Sequence, residues 1–218
     1  MARSARARLP VQRRERRSHA ERTAETRGRI IAAVVESIAE VGYQRTTAAE
    51  VTRRAGVTWG AVQHHFGGKE GLLLAVLEDS FDRFAARLAD VATPGSGLEE
   101  RASRFVDRAW EHFGSPHFRS TFEILLNQAE REAQDGERRA ASWQSQLAEA
   151  WDDVWQQLFF ETGMSRRRRS LVQHFVISSL AGMASLQILE HGGRGPTRQA
   201  ELEMLKRTLL RELARPPA

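Results

Sequence analysis

Two helix-start signatures joined through one glycine constrain this chain more than any other feature. Thr47 stands three residues before Glu50, a capping-box spacing in which the hydroxyl and the carboxylate each satisfy a free amide of the helix start. A short helix to about Ala55 follows. Gly56 then allows a tight turn, and Thr58 supplies a second N-cap. Val57 precedes that cap, and Val62 occupies the position at which a hydrophobic staple would meet it, so a second short helix runs to about Phe66. Upstream, Ile30, Val34, Ile38 and Val41 recur at helical spacing and Gly42 stops them, which predicts a helix over 26–41.

The remaining chain is read by the same punctuation. After Gly67 and Gly68, an amphipathic stretch carries Leu72, Leu73, Val76, Leu77, Phe81, Phe84 and Leu88 until Pro94, Gly95 and Gly97 break it. Further helices are predicted over 98–113, 117–134, 136–162, 165–191 and 197–214. No strand-like alternation persists and no phosphate-binding glycine loop occurs, so the fold class is all-α, about nine helices. Three parts follow: a basic flexible arm over 1–22, a three-helix head over 23–70, and a larger helical body over 71–218.

Charge bears on the partner. The net charge is +5 and the isoelectric point about 10.7, and much of the excess sits in the arm, where Arg3, Arg6, Arg8, Arg13, Arg14, Arg16, Arg17 and Arg22 face only Glu15 and Glu21. Such a segment fits an acidic partner, either entering a minor groove or adding sequence-blind, salt-sensitive affinity. A solvated tail is the plainer alternative. With 41% hydrophobic residues and a mean hydropathy of −0.49, a folded globular protein is expected. The absence of cysteine excludes disulfides and thiolate chemistry. The basic start has no apolar segment behind it, so a secretory signal is not expected. The stretch 171–189 holds too many polar groups for a membrane span, and a cytoplasmic location is expected.

In a helix-turn-helix, the second helix packs one face inward and shows a small or polar face to the major groove. Val62 and Phe66 point inward with Val51, Ala55 and Ile38, leaving Gly60, Ala61, Gln63 and His64 outside. Gly60 and Ala61 permit close backbone approach, and Gln63 and His64 can hydrogen-bond to bases or phosphates. Thr47, Thr58 and Lys69 sit at or beside helix N-termini, where amides and the dipole favour phosphate.

The run from Thr26 to Leu77 closely resembles the DNA-binding head of the tetracycline-repressor (TetR) family. The resemblance rests on Thr26-Arg27, Ile30-Ile31-Ala32-Ala33, Val41-Gly42-Tyr43, Thr46-Thr47, the stretch Val51 to Thr58, Gly60, His65-Phe66 and Lys69 to Leu73. It implies that Thr47, His65 and Lys69 contact phosphates and that Trp59, Gly60, Ala61 and His64 lie near bases. The family usually has a lysine or similar polar residue where Trp59 stands, and a tyrosine where Gln63 stands. Trp59 either meets a thymine methyl or sugar or covers the helix start; Gln63 either reads adenine or replaces one phosphate bond.

The resemblance further implies a body that dimerises through its last two helices and encloses a ligand pocket. Apolar residues surround most of the 165–191 helix, and Leu202, Leu205, Leu209 and Leu213 stripe the 197–214 helix, so a four-helix dimer interface and an ordinary monomeric core are both open. Trp110, Phe122, Trp151 and Trp155 are candidate apolar pocket residues. Asn127, Gln128, His112, His117, His174 and Gln187 are candidate polar ones, each also compatible with a surface or core role. His112 and His117 lack the carboxylate or thiolate support of a metal site, and no cofactor is expected. The Arg166–Arg169 run reads as a solvated patch. No nucleophile motif or paired-carboxylate constellation supports an enzyme. The expected function is a regulator, in the repressor sense, that binds palindromic double-stranded operator DNA as a homodimer and is released by a small-molecule effector. A sequence-blind architectural DNA binder is the competing expectation.

Overall fold

The computed structural model describes residues 18–135, 140–189 and 195–216, and in them finds nine α-helices and no strand. The helices are α1 (His19–Val41), α2 (Ala48–Ala55), α3 (Trp59–Phe66), α4 (Lys69–Arg87), α5 (Leu98–Phe113), α6 (Pro116–Asp135), α7 (Ala140–Phe159), α8 (Arg166–Leu189) and α9 (Gly195–Ala214). The all-α expectation holds, with an N-terminal helix-turn-helix on a larger helical body.

α1 starts earlier than its apolar spacing suggests. The Glu21 amide donates to Ser18 Oγ at 3.1 Å and the Ser18 amide donates to the Glu21 carboxylate at 2.6 Å, a complete capping box. The first turns after it bury nothing, so periodicity becomes visible only near Thr26, whose hydroxyl is already inside the helix and donates to the Arg22 carbonyl. Residues 18–22 of the expected arm are therefore the start of α1. The rest of that arm, 1–17, lies outside the described residues.

At α2, Thr47 Oγ1 accepts the Glu50 amide at 3.2 Å, but Glu50 does not return the bond. Its carboxylate is engaged by Arg53 at 2.7 Å and Arg54 at 2.5 Å, and Arg54 reaches on to Glu40 of α1. These guanidinium bonds hold the Glu50 carboxyl down to about 2. Gly56 adopts a left-handed φ of 64°, and the amides of Gly56 and Val57 close on the last turn of α2. Thr58 Oγ1 then accepts the Ala61 amide at 3.3 Å to start α3.

Ile30, Val34 and Ile38 of α1, Val51 and Ala55 of α2 and the wholly buried Val62 of α3 form the head core. Leu72, Leu73 and Val76 of α4 and Ile124 of α6 complete it, so this core runs beyond residue 70 and includes a body helix. Gly71 shows how closely α3 and α4 meet. A Cβ there would come within 1.9 Å of the Phe66 carbonyl oxygen.

The body core gathers Phe84, Phe105, Trp155, Phe159, Leu180, Leu209 and Leu213 around α5. α7 ends at Phe159 in a 3-10 turn, Phe160–Thr162, instead of running through 162. The arginine run is not uniformly solvated. Arg166 and Arg167 are exposed, but Arg168 donates to the carbonyls of Glu212, Arg215 and Pro216 and closes the end of α9. Arg169 grips Asp152 in two bonds, at 2.6 and 3.0 Å. Those bonds hold the Asp152 carboxyl down to about 2. Among the described residues, no helix is long and apolar enough to cross a membrane.

Candidate DNA-binding face and body cavity

On α3, Gly60, Gln63 and His64 are exposed, Ala61 and His65 partly so, and Val62 points into the core. A Cβ at Gly60 would meet only Thr58 Oγ1, at 3.7 Å, so nothing inside the protein requires glycine there. Thr47 and Thr58 are exposed, and each oxygen accepts a helix amide, which leaves each hydroxyl hydrogen available to an incoming acceptor. Lys69 is exposed at the start of α4, its ammonium 5.7 Å from the Tyr43 ring centre. Trp59 is half-buried and packs on the head core, so much of its surface covers the helix start.

The end of α3 is fixed from α1. Arg27 lies over the Phe66 ring at 4.4 Å and donates to the His65 carbonyl. The two residues stand far apart in sequence, and only the packing of α1 on α3 brings them together. Burial, then the charges of His64 and Arg27, pushes the His65 imidazole below its ordinary range. His65 is therefore neutral near pH 7 and able to donate from one ring nitrogen.

In the body, a chamber of about 170 Å³ lies between α4, α5, α6, α7 and α8. Phe81, Phe84, Phe118, Phe122 and Trp151 wall it, with Ser80, Thr121 and His112 as its polar groups. The two hydroxyls are 3.2 Å apart. Burial first, then the charges of His117 and Arg87, lowers the His112 imidazole to about 4. A second cleft of about 290 Å³ shares Phe113, Phe118 and Phe122 with the chamber and adds Ser115, Arg119, Ser185 and Gln187.

Of the residues expected to line a pocket, the structure brings Phe122 and Trp151 to the chamber, with His112, and Phe122 and Gln187 to the cleft. The others are elsewhere. Trp110 packs under Arg198 at 5.0 Å. Trp155 is buried against Phe105 and Phe159. His117 lies 3.7 Å from the Asp79 carboxylate. Asn127 accepts from Gln44 of the head at 2.6 Å, and His174 is exposed on α8. Ser80, Thr121 and Arg119 were not foreseen, because their setting depends on how five helices converge.

α6 also joins the head. Ser120 Oγ donates to the Val35 carbonyl at 2.9 Å, and Glu123 Oε2 accepts the Tyr43 amide at 2.8 Å.

Residues 30–76 match the family described as bacterial regulatory proteins, tetR family. The chain is 30% identical over 176 residues to the HTH-type transcriptional regulator CymR of Pseudomonas putida, covering 78% of this chain and 83% of that relative. It is 45% identical over 86 residues to BetI, an HTH-type transcriptional regulator of Escherichia coli K12, covering 37% of this chain and 42% of BetI. In fold it is similar to the fatty acid degradation regulator FadR from Bacillus halodurans, with a TM-score of 0.64 and 17% identity over 85% of this chain and 94% of that one.

Proposed function

The chain belongs to the tetR family of bacterial regulatory proteins and is a helix-turn-helix transcriptional regulator; on that premise we propose that it is a repressor that binds a palindromic operator as a homodimer and leaves it when a small molecule occupies the body. The observation that carries the reading is the α3 surface, where Gly60, Gln63 and His64 stand free of the fold while Val62 anchors the helix from behind. Ala61 and Trp59 complete the base-facing side. Thr47, Thr58, His65 and Lys69 take phosphates, by hydroxyl, imidazole and ammonium donors. Arg27 positions this surface.

Two heads are needed for two half-sites roughly 34 Å apart, or somewhat wider. α8 and α9 supply the dimer surface. Val172, Val176, Leu180 and Met183 of α8 are buried in the body core, but Leu171 is 70% exposed, Phe175 47%, Leu186 49% and Leu189 72%, with Met204 of α9 63% exposed. An apolar stripe of that extent on a second helix face fits burial against a second copy. The effector occupies the chamber and cleft, with Phe122, Trp151, His112 and Gln187 in its lining. A location in the cytoplasm follows from an operator on the chromosome.

Gel shifts against DNA upstream of the chain's own gene test this, with scrambled competitor and a salt series. A retarded band that resists competitor supports a specific regulator. Equal loss to any competitor would make the protein a sequence-blind DNA binder instead.

A further inference from the structure

We infer that the chamber and cleft together take a compact apolar ring that carries a carboxylate, with Arg119 as the residue that receives the carboxylate. This deepens the effector reading above and rests on it. Size speaks first. An apolar cavity near 150 Å³ accommodates benzene, and the chamber is about 170 Å³, room for one ring and a small substituent. Its walls are aromatic faces from several directions, Phe81 and Phe84 on α4, Phe118 and Phe122 on α6 and Trp151 on α7, the contacts a flat or compact ring fills best.

Charge then sets the orientation. Among the described residues that line the chamber there is no carboxylate, ammonium or guanidinium, and His112, the one titratable group among them, is neutral in that setting. An ionised substituent there would lose its hydration with nothing to replace it. The cleft differs. Among the described residues lining it, Arg119 alone carries charge. The other polar groups are largely occupied: Ser115 donates to the His112 carbonyl and accepts the Phe118 amide, and Ser185 donates to the Ala181 carbonyl. Arg119 pairs with Glu123 at 3.8 Å, too long for a hydrogen bond, so among the described residues its N–H donors are open to an incoming acceptor. The Gln187 amide also lines the cleft, and its NH2 can donate a second hydrogen bond to the carboxylate; its oxygen, buried and unpartnered among the described residues, is an acceptor and takes no part in that contact. A fully apolar molecule would leave the Arg119 guanidinium unused, and a cation would meet it as a like charge.

The test uses the full chain and a panel of benzoate, phenylacetate, toluate and cyclohexanecarboxylate, each beside its own methyl ester, with affinity read by calorimetry and melting. At least one acid is expected to bind about tenfold or more tighter than its ester, the scale of a charge-assisted contact. In Arg119→Gln that ratio falls to about one, while the ligand-free melting temperature stays with wild type. An ester that binds as tightly as its acid, a ratio that survives Arg119→Gln, or no acid binding at millimolar concentration overturns the inference. Operator binding in the same preparations separates the two readings. Specific operator binding without an acid preference sinks only this inference, and an acid preference without specific operator binding sinks the regulator.

Discussion

Replacing Gly60 with alanine acts in opposite directions on fold and function. The new methyl meets only Thr58 Oγ1, at 3.7 Å, which is ordinary van der Waals contact, and the residue lies inside α3. Removing the glycine's backbone freedom is worth about 0.5–1 kcal/mol to a helix. In a chain of this length that raises the melting temperature by about 1–4 °C. On the DNA side, the methyl projects from the exposed face and holds the α3 backbone away from the groove floor. Loss of one good base contact costs about 1–3 kcal/mol, so operator affinity should fall by about tenfold or more. Scanning calorimetry gives the first quantity and fluorescence anisotropy with a labelled operator duplex gives the second. A lower melting temperature would show that Gly60 serves the fold. Unchanged operator affinity would show that this face does not approach the bases.

Other perturbations separate the remaining links. Val62→Ala removes two methyl groups from a wholly buried staple and should cost about 2 kcal/mol of stability in chemical denaturation; a cost near zero would mean that α3 is not anchored there. Arg27→Ala, which loses the Phe66 stacking and the bond to the His65 carbonyl, should weaken every operator variant alike, and a changed base preference in a binding-site selection would contradict a positioning role. In the proposed dimer, Phe175→Asp should leave monomers in sedimentation and abolish tight operator binding; a dimer that survives it refutes the α8 interface. His112 stays neutral in the fold down to about 4, whereas an unfolded histidine titrates near 6.5. The unfolded chain therefore binds the extra proton first, and stability present above about pH 6.5 declines as pH falls, by about 3 kcal/mol at pH 4. His112→Gln should flatten that part of the pH profile, and an unaltered profile would place the effect elsewhere.

The head could be read from sequence because its determinants are local. Thr47, Gly56 and Thr58 act on amides within a few residues, and Val51, Ala55 and Val62 need only helical spacing to find the core. What escaped depends on partners that are distant in the chain. Glu50 has the spacing of a capping box, yet Arg53 and Arg54 outbid the Thr47 amide for its carboxylate. The start of α1 escaped because its first turns carry no apolar stripe, so only the Ser18 and Glu21 cap marks it. Among the polar body residues, composition alone could not separate Asn127, committed to Gln44, from Gln187, which faces the cleft. The Arg27 contact, across α1 and α3, has no local signal at all.

On the proposed reading, α6 gives each body a short path to its own head. Its residues at 118, 121, 122 and 125 line the chamber, while Ser120, Glu123, Ile124 and Asn127 hold the head. These sets alternate along the same helical turns, so a small rotation or shift of α6 cannot improve ligand contact without altering the bonds to Val35 and Tyr43. The head side includes short polar bonds at Ser120, Glu123 and Asn127, which weaken with stretching and misalignment. Coupling between sites typically needs about 1–3 kcal/mol, and a net hydrogen bond contributes about 0.5–1.5 kcal/mol. Loss of two such contacts on binding of the proposed effector would supply a coupling of that size. α4 shares both cores as well, through Val76 toward the head and Phe84 toward the body, so a second helix links the two along the same path.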